Sequence, residues 1–503
     1  MTLIHSIVSW ATIKRMNQIE LFKKYPEDVQ QEQLFNLLKS AKNTEFGKKY
    51  GFDSISSTQE YQKRVPISTY EGFTEYIDKI RKGKPNILWP TDIKWFAKSS
   101  GTTSDKSKFI PVSNESLEDC HLRGGRDVIV LYTSNYPGKR VFKGKTLSIG
   151  GSQQINKYDN ELYYGDLSAV LIENIPFWAR LLRTPAKKIA LMDEWEEKIE
   201  LMSQTTINEN VTSISGVPSW TMVLIKRILE ITGKDNLMEV WPNLELFAHG
   251  GVSFIPYRDQ FKSLIKSNSM NYLETYNASE GFFAIQDYPE ADGMLLMLDY
   301  GVYYEFIPME NFDQENPEAI GLDKVELNKN YALVISTNGG LWRYMIGDTI
   351  KFTSKKPFRI KITGRTKHFI NAFGEELIID NAEVALKKAC ERTGAEIKEY
   401  TAAPIFMNEE RNGGHQWLFE FSKMPNNLEH FSDILDITLK TVNSDYEAKR
   451  YKDISLAAPK IEVAQQGLFY KWLKERGRLG GQNKVPRLAN HREYIDRLLE
   501  LNK

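Results

Sequence analysis

The sequence predicts an α/β protein with more than one domain. Patterns typical of strands occur at 146–149, 244–247 and 331–336, and patterns typical of helices occur at 195–201 and 220–231. The chain has 503 residues, which is too long for one efficient hydrophobic core. We therefore expect mixed α/β layers, arranged as a large N-terminal domain and a smaller α+β C-terminal cap.

Two further features set the order of these parts along the chain. Residues 1 to about 90 have the apolar spacing of helices. The segment 357–365 is the best boundary candidate, because the region after it has helical patterns of its own. We place the boundary after residue 361, which predicts domains at 1–361 and 362–503.

The composition argues against several kinds of partner. Lys and Arg together number 66, as do Asp and Glu, and no long tract of one sign is present to follow a nucleic-acid backbone. No stretch reaches the roughly 20 apolar residues of a membrane helix, and the N-terminus lacks the order of a signal peptide. Cys120 and Cys390 stand far apart, without the spacing of a zinc site. We expect a cytoplasmic protein that binds neither nucleic acid nor a membrane.

The most informative segment is a small hydroxylic loop at 99–108, with the sequence SSGTTSDKSK. Apolar runs on either side predict the order strand, loop, strand. The backbone N–H groups, hydroxyls and ammonium groups of such a loop are the donors that polyphosphate oxygens need. An ordinary turn has the same composition, so the loop alone leaves a turn and a phosphate site equally open.

Four further segments follow in order along the chain: TYNASEG at 275–281, WRYMIGD at 342–348, ITGR at 362–365 and GGQNKVPR at 480–487. With the loop, this set resembles the adenylate-forming superfamily and, within it, the auxin-responsive acyl acid amido synthetase family of plants and bacteria. The resemblance covers nearly the whole chain, and five ordered motifs are more specific than any one of them. We identify the sequence as a bacterial member of that family.

The resemblance implies an ATP- and Mg²⁺-dependent ligase of luciferase-like architecture with a mobile C-terminal cap. Such an enzyme activates a carboxylic acid as an acyl-adenylate and transfers the acyl group to an amine, here expected to be an amino acid. The intermediate is labile in water, which gives a closing cap a chemical purpose. An acyl-CoA ligase and a nucleotide-binding protein without turnover remain alternatives, and the oligomeric state stays open.

The resemblance also assigns roles to individual residues of the motifs. The assignments are phosphate contacts for Ser99, Ser100, Gly101, Thr102, Thr103, Lys108 and Ser279; adenine contacts for Gly250, Gly251 and Tyr276; ribose contacts for Asp348 and Arg365; the metal for Glu280; and catalysis for Glu280 and Lys484.

Elementary chemistry supports three of these roles. Mg²⁺ takes a few protein oxygens and fills its other positions from phosphate and water, a task suited to Glu280. The Asp348 carboxylate can accept both ribose hydroxyl protons, and the Lys484 ammonium can stabilise charge that grows at the α-phosphate. Each residue also has a plainer interpretation: a Ser-Glu pair at a helix start for Glu280, a turn for Asp348 and a solvated side chain for Lys484.

Three residues depart from the family pattern. Asp105 stands where a second glycine of the phosphate loop is usual. His368 and Asn371 replace an acidic hinge residue and a lysine. An acidic side chain beside phosphate is unfavourable unless it points away, and the altered hinge leaves the pivot residue open.

The acyl substrate is less well specified by the sequence. The segments 216–220 (GVPSW) and 282–283 (FF) could supply apolar and aromatic walls, although such residues are more often plain core. The segment 138–146 resembles a Walker loop but has five residues between its glycines where the motif has four, and we interpret it as a basic hairpin. HExxH and GxSxG motifs are absent from the sequence, which disfavours hydrolases.

Overall fold

The structure is a computed structural model that describes residues 2–99, 108–136, 138, 141–149, 155–157, 161–192, 194–252, 254, 257–288, 290–312, 314, 316–366, 369–407, 412–450, 455–475 and 485–503. At 2–11, 99, 178, 195, 219 and 380 the description covers the backbone alone. The loop residues Ser100–Thr103 and the predicted catalytic Lys484 therefore lie outside the described residues.

The helices are α1 (Thr2–Lys24), α2 (Pro26–Ala41), α3 (Glu45–Tyr50), α4 (Thr58–Arg64), α5 (Tyr70–Arg81), α6 (Leu122–Asn135), α7 (Leu167–Asn174), α8 (Phe177–Arg180), α9 (Lys187–Ala190), α10 (Trp195–Thr206), α11 (Pro218–Thr232), α12 (Arg258–Leu264), α13 (Ile379–Thr393), α14 (Leu428–Val442), α15 (Ser444–Arg450), α16 (Leu468–Glu475) and α17 (Glu493–Leu501).

The strands are β1 (Trp95–Ser99), β2 (Lys108–Val112), β3 (Lys145–Ser148), β4 (Asn156–Lys157), β5 (Tyr163–Gly165), β6 (Arg183–Thr184), β7 (Val211–Gly216), β8 (Leu246–Gly250), β9 (Asn271–Ala278), β10 (Gly281–Ile285), β11 (Met294–Leu296), β12 (Val302–Pro308), β13 (Asn330–Thr337), β14 (Tyr344–Lys355), β15 (Phe358–Arg365), β16 (Phe369–Ile370), β17 (Leu377–Ile378), β18 (Glu396–Ile405), β19 (Gly414–Lys423) and β20 (Lys460–Val463).

Helices α1 to α5 occupy the N-terminal region, as the sequence predicts for residues 1–90. The side chains of Thr44 and Ser57 cap α3 and α4 by accepting hydrogen bonds from backbone N–H groups of the first turn. Gln30 on α2 is buried and bonds to the backbone of Leu298 and Tyr304. These bonds satisfy a buried amide and fix α2 against the sheet.

The largest sheet in the described part of the chain has eleven strands in the order β12-β13-β14-β15-β11-β10-β9-β8-β7-β3-β6. From β6 to β9 the neighbouring strands are parallel, and from β9 to β12 they are antiparallel. A smaller sheet, β2-β1-β5-β4, lies outside it. Since ligands of open α/β sheets bind beyond the carboxyl ends of parallel strands, the ends of β7 and β8 mark a candidate site.

The region after β15 has its own three-stranded sheet, β18-β19-β20, with α13 and α14 packed together beside it. One apolar core continues from the N-terminal part into this region and joins Trp220 and Phe261 to Phe373 and Trp417. The Tyr257 hydroxyl donates to the backbone oxygen of Ala372 at 2.7 Å. The two parts are therefore in apolar and hydrogen-bonded contact in this conformation.

Three sequence predictions need comment. The strand expected at 244–247 begins and ends later, at Leu246–Gly250. The basic hairpin predicted at 138–146 is wrong, because β3 pairs in parallel with both β6 and β7. The large sheet continues through Arg365, four residues beyond the boundary placed at 361, and that boundary stays a prediction.

None of the described helices has the length and apolar character required to cross a membrane.

Candidate active site

The turn between β9 and β10 places two predicted site residues at one end of the large sheet. Ala278 and Gly281 pair directly, so Ser279 and Glu280 form a two-residue turn. A Cβ at Gly281 would lie 2.7 Å from the Phe283 ring, which explains the glycine at this position. The plainer interpretation of Ser279 and Glu280 as a helix start is wrong, since no helix follows them.

Asp348 is held between two other predicted site residues. It pairs with Arg365 across β14 and β15, and Arg365 Nε lies 2.9 Å from Asp348 Oδ1. The Tyr276 hydroxyl donates a hydrogen bond to Asp348 Oδ2 at 2.6 Å. Each carboxylate oxygen has a second acceptor position, so the buried carboxylate can still receive two hydroxyl donors from a ligand.

Glu280 lies beside this cluster, and the charges of neighbouring site residues affect its pKa. Its Oε1 accepts a hydrogen bond from the Tyr344 hydroxyl at 3.3 Å. Burial raises the pKa of Glu280 to about 6, and the Asp348 charge acts in the same direction while Lys108 opposes it. Burial also lowers the pKa of Lys108, and the Glu280 charge partly offsets that effect. The fold thus gathers residues that the sequence separates by more than 200 positions.

The predicted phosphate loop joins two paired strands. β1 and β2 are antiparallel, with Ser99 at the end of β1 opposite Lys108 at the start of β2. This pairing confirms a strand on either side of residues 100–107, which lie outside the described residues. Lys108 itself is half-buried, and its Nζ lies 5.9 Å from the centre of the Tyr70 ring. The phosphate roles of Ser99, Ser100, Gly101, Thr102 and Thr103 stay predictions.

Gly250 is the last residue of β8 and Gly251 follows it, at a point where backbones approach closely. A Cβ at Gly250 would lie 2.5 Å from the backbone oxygen of Thr275, because β8 and β9 pair there. Gly251 has φ +83°, a value that favours glycine. His249, just before them, is buried, and burial lowers its pKa to about 3, so it is neutral at physiological pH.

A cavity of about 940 Å³ opens beside these glycines. Its wall includes Gly250 and Gly251, and also Thr275 and Asn277, the chain neighbours of Tyr276 on β9. The expected acyl-pocket residues contribute Gly216, Val217, Trp220 and Phe282. The cavity extends under β3 and β6 to Leu182 and Arg183, away from the Asp348 cluster.

Several cavity and cluster residues carry no motif in the sequence. Arg183 donates from Nε to the Ser148 hydroxyl at 3.0 Å, and burial lowers its pKa to about 10. Lys449 enters the wall from α15. A single basic residue in a helix or strand gives no local sequence signal of a binding site. Tyr344 lies within WRYMIGD, but the motif alone does not link it to Glu280.

Family models match the chain in three parts. The GH3 family N-terminal domain matches residues 15–270, the GH3 family central domain matches 295–365, and the GH3 family C-terminal domain matches 380–493. The chain belongs to the GH3 family. This membership confirms the family resemblance drawn from the five motifs. The central match ends at Arg365, where β15 also ends in this GH3 chain.

Relatives of this GH3 chain are known from plants. The indole-3-acetic acid-amido synthetase GH3.3 of Arabidopsis thaliana is 22% identical, with 97% of this chain and 93% of that protein covered. The jasmonoyl–L-amino acid synthetase JAR4 of Nicotiana attenuata is 23% identical, with 94% and 92% covered. The bacterial origin expected from the sequence stays a prediction.

Solved structures share the fold. The GH3.15 acyl acid amido synthetase superposes with a TM-score of 0.61 at 18% identity, covering 97% of this GH3 chain and 96% of that one. A 2-hydroxyisobutyryl-CoA ligase gives a TM-score of 0.56 at 13% identity, covering 95% and 92%. The expected adenylate-forming fold, a large α/β N-terminal domain with a smaller C-terminal domain, is thereby confirmed.

Proposed function

We propose that this GH3 chain is an ATP-dependent ligase that joins a carboxylic acid to an amino acid through an acyl-adenylate. The observation that carries the proposal is the cluster of Lys108, Tyr276, Glu280, Asp348 and Arg365, together with a 940 Å³ cavity that the chain neighbours of Tyr276 on β9 help to line. The cluster offers acceptors and cations suited to a nucleotide, and the cavity offers room for an acid. The amido synthetase activity named for GH3.3 and JAR4 supports the same reaction.

Adenylation would take place between the cluster and the Gly250–Gly251 end of the cavity. A carboxylate oxygen of the acid attacks the α-phosphorus of ATP, and the bond to the pyrophosphate oxygen breaks. Asp348 would accept the ribose hydroxyls, with Tyr276 and Arg365 fixing its carboxylate. Gly250 and Gly251 would leave room for the adenine at the end of β8, since neither has a side chain. Lys484, with its loop, would bring positive charge to the α-phosphate.

The residues around Glu280 fit a Mg²⁺ ion. The Glu280 carboxylate accepts a long hydrogen bond from the Tyr344 hydroxyl and retains oxygen lone pairs for a hard cation. Burial keeps part of the Glu280 population protonated near pH 6, and a dication would favour its ionised form. Mg²⁺ would supply charge neutralisation for the phosphates.

The second step would consume the acyl-adenylate. The amino nitrogen attacks the acyl carbon, the bond to the AMP oxygen breaks, and one proton leaves the nitrogen. The cavity wall is largely apolar from Ile149 to Leu182, so an acid with an apolar or aromatic body is the favoured class. The cytoplasmic location expected from the sequence stays a prediction.

The test gives the enzyme a panel of carboxylic acids with Mg²⁺-ATP. Pyrophosphate release is measured for each acid in a pyrophosphatase-coupled assay. Acid-dependent release should appear for some acids and be absent without acid. Each active acid is then given amino acids or coenzyme A, and AMP and the coupled product are measured. Amide formation with amino acids supports the proposal, and thioester formation alone would replace it with an acyl-CoA ligase. ATP binding without release for any acid would leave a nucleotide-binding protein without turnover.

A further inference from the structure

Lys449 is a buried cation at the border between the N-terminal part and the C-terminal region. It lies in α15, only 7% exposed, and its Nζ is 3.5 Å from the ring centre of Trp220 on α11. Both side chains line the 940 Å³ cavity. A Cβ at Gly374 would lie 3.2 Å from Lys449 Cε, so a larger residue there would crowd the ammonium group.

The ammonium group has no recorded hydrogen bond or ion pair to any residue within the described ranges. The next residue, Arg450, shows what a satisfied cation in the same helix looks like. It donates from Nε and Nη2 to the two oxygens of Asp436, each at 2.7 Å, and from Nη1 to the backbone oxygen of Leu456. Burying a charge with only an aromatic face beside it is costly.

Acidic residues near Lys449 act on it only at longer range. Asp445, Asp166, Glu375 and Glu376 raise its pKa, but burial outweighs them and lowers the pKa to about 8. Glu375 is engaged by other groups, since it accepts from the backbone N–H groups of Ala372 and Phe373 and contacts His415 Nε2 at 2.8 Å. An anionic ligand in the cavity would therefore meet a cation that has no contacting carboxylate among the described residues.

The position of Lys449 indicates which substrate would supply that anion. Among the described lining residues, Gly374 and Lys449 are those that lie beyond Arg365, and the rest come from the N-terminal part. Trp220 follows Val217 by three residues, and a Cβ at Gly251 would lie 3.3 Å from the Val217 side chain. The part of the cavity at Lys449 and Trp220 is thus next to the part at Gly250 and Gly251. The apolar part, which has room for the acid, extends towards β6.

We propose that Lys449 binds the carboxylate of the acceptor amino acid and so makes the enzyme prefer amino acids over simple amines. This inference rests on the proposed function and names the part of the site that recognises the second substrate. The Trp220 face holds the ammonium group in place by a cation–π contact, and the carboxylate completes its coordination. The α-amino group, one carbon away from that carboxylate, would then face the acyl carbon.

The test compares two variants, Lys449→Met and Lys449→Arg, with the wild type. An amino acid found active in the panel and its primary amide are used as acceptors, because the amide keeps the amine and removes the carboxylate charge. The wild type should prefer the amino acid over the amide by about tenfold or more in kcat/KM, as expected for a charge-assisted contact. Lys449→Met should lose that preference through a higher KM for the amino acid, and Lys449→Arg should retain part of it.

Two measurements keep the result interpretable. Acid-dependent ATP–pyrophosphate exchange needs no acceptor, so it should stay within about twofold of wild type in Lys449→Met and also show that the variant folds. Lys471→Met on the exposed face of α16 is the matched control and should change neither reaction. An unchanged preference in Lys449→Met would overturn the inference, and so would a large loss of exchange, which would place Lys449 in adenylation. Failure of exchange in the wild type would instead overturn the proposed function.

Discussion

The Tyr276 hydroxyl donates to Asp348 Oδ2 at 2.6 Å although their strands, β9 and β14, are four steps apart in the large sheet. Strands about 4.8 Å apart would separate these two strands by roughly 19 Å in a flat sheet. The sheet must therefore curl strongly between β9 and β14, as twisted sheets of many strands do. That curl brings the Asp348–Arg365 pair to the turn that carries Glu280.

The first prediction concerns the ribose role of Asp348. Asp348→Asn should weaken ATP binding by about tenfold to a hundredfold, because the amide offers one acceptor oxygen and no charge to the two ribose hydroxyls. Calorimetry with ATP and with 2′-deoxy-ATP should show that the wild type prefers ATP and that the variant loses the preference. Asp292→Asn, at an exposed carboxylate, is the control. Equal preference for ATP in wild type and Asp348→Asn would contradict the ribose role.

The second prediction concerns metal binding by Glu280. Glu280→Gln should weaken apparent Mg²⁺ affinity about tenfold or more at pH 8, since it removes the charged ligand and little volume. Wild-type affinity should also fall as pH drops through about 6, the raised pKa of Glu280, whereas the variant should show no such inflection. Mg²⁺ titrations of pyrophosphate release between pH 5.5 and 8, buffer values chosen to bracket that pKa, would test both expectations.

The raised pKa of Glu280 also predicts how its charge affects the stability of the fold. A carboxyl whose pKa is higher in the folded state than in the unfolded state contributes stability below its unfolded pKa, and this contribution is lost as pH rises through about 6. Ionised Glu280 is thus unfavourable for the metal-free fold at pH 8. Glu280→Gln should then be at least as stable as wild type at that pH in denaturant unfolding without Mg²⁺. A large loss of stability would mean that Glu280 is a structural residue and not a metal ligand.

Local signals in the sequence predicted much of the fold. Apolar spacing identified α10, α11 and β13, and the polar loop at 99–108 identified the β1–β2 pair. These elements depend on neighbouring residues, so a linear pattern is sufficient to find them. The hairpin expected at 138–146 failed because β3 pairs with β6 and β7, which are distant in sequence, and such pairing leaves no mark on β3 itself.

The candidate site was predictable only in part for a similar reason. Tyr276, Glu280 and Asp348 stand in motifs, but their mutual contacts depend on the curl of the sheet. Lys449 stands in no motif. Its position in the site comes from the packing of α15 against Trp220 on α11, which the sequence near Lys449 does not indicate. Residues that act through contacts between distant elements need the tertiary structure to be found.

The fourth prediction concerns stability at the WRYMIGD segment. Arg343 is 5% exposed and donates from Nε and Nη2 to Glu305, each at 3.0 Å, and from Nη1 to the backbone oxygens of Gln62 and Val65. Arg343→Met should destabilise the protein by about 3–5 kcal/mol, because it leaves the buried Glu305 carboxylate without its cation.

Denaturant unfolding of the wild type and three variants would check this expectation. The double variant Arg343→Met with Glu305→Leu should recover part of the loss, since it removes both charges. Arg497→Met, at an exposed ion pair, should leave the unfolding midpoint unchanged. A loss in Arg343→Met no larger than in Arg497→Met would show that the buried pair contributes no more to stability than an exposed ion pair.

The last prediction separates the two lysines assigned to the two steps. Lys484 lies outside the described residues, and its expected task is to stabilise charge at the α-phosphate during adenylation. Lys484→Ala should therefore depress ATP–pyrophosphate exchange by orders of magnitude, leave ATP affinity nearly unchanged, and spare acyl transfer from a supplied acyl-adenylate. Lys449→Met should show the opposite pattern, with exchange retained and transfer to the amino acid impaired. If both variants lost the same half-reaction, the two lysines would serve one step, and separate roles for adenylation and acceptor recognition would be ruled out.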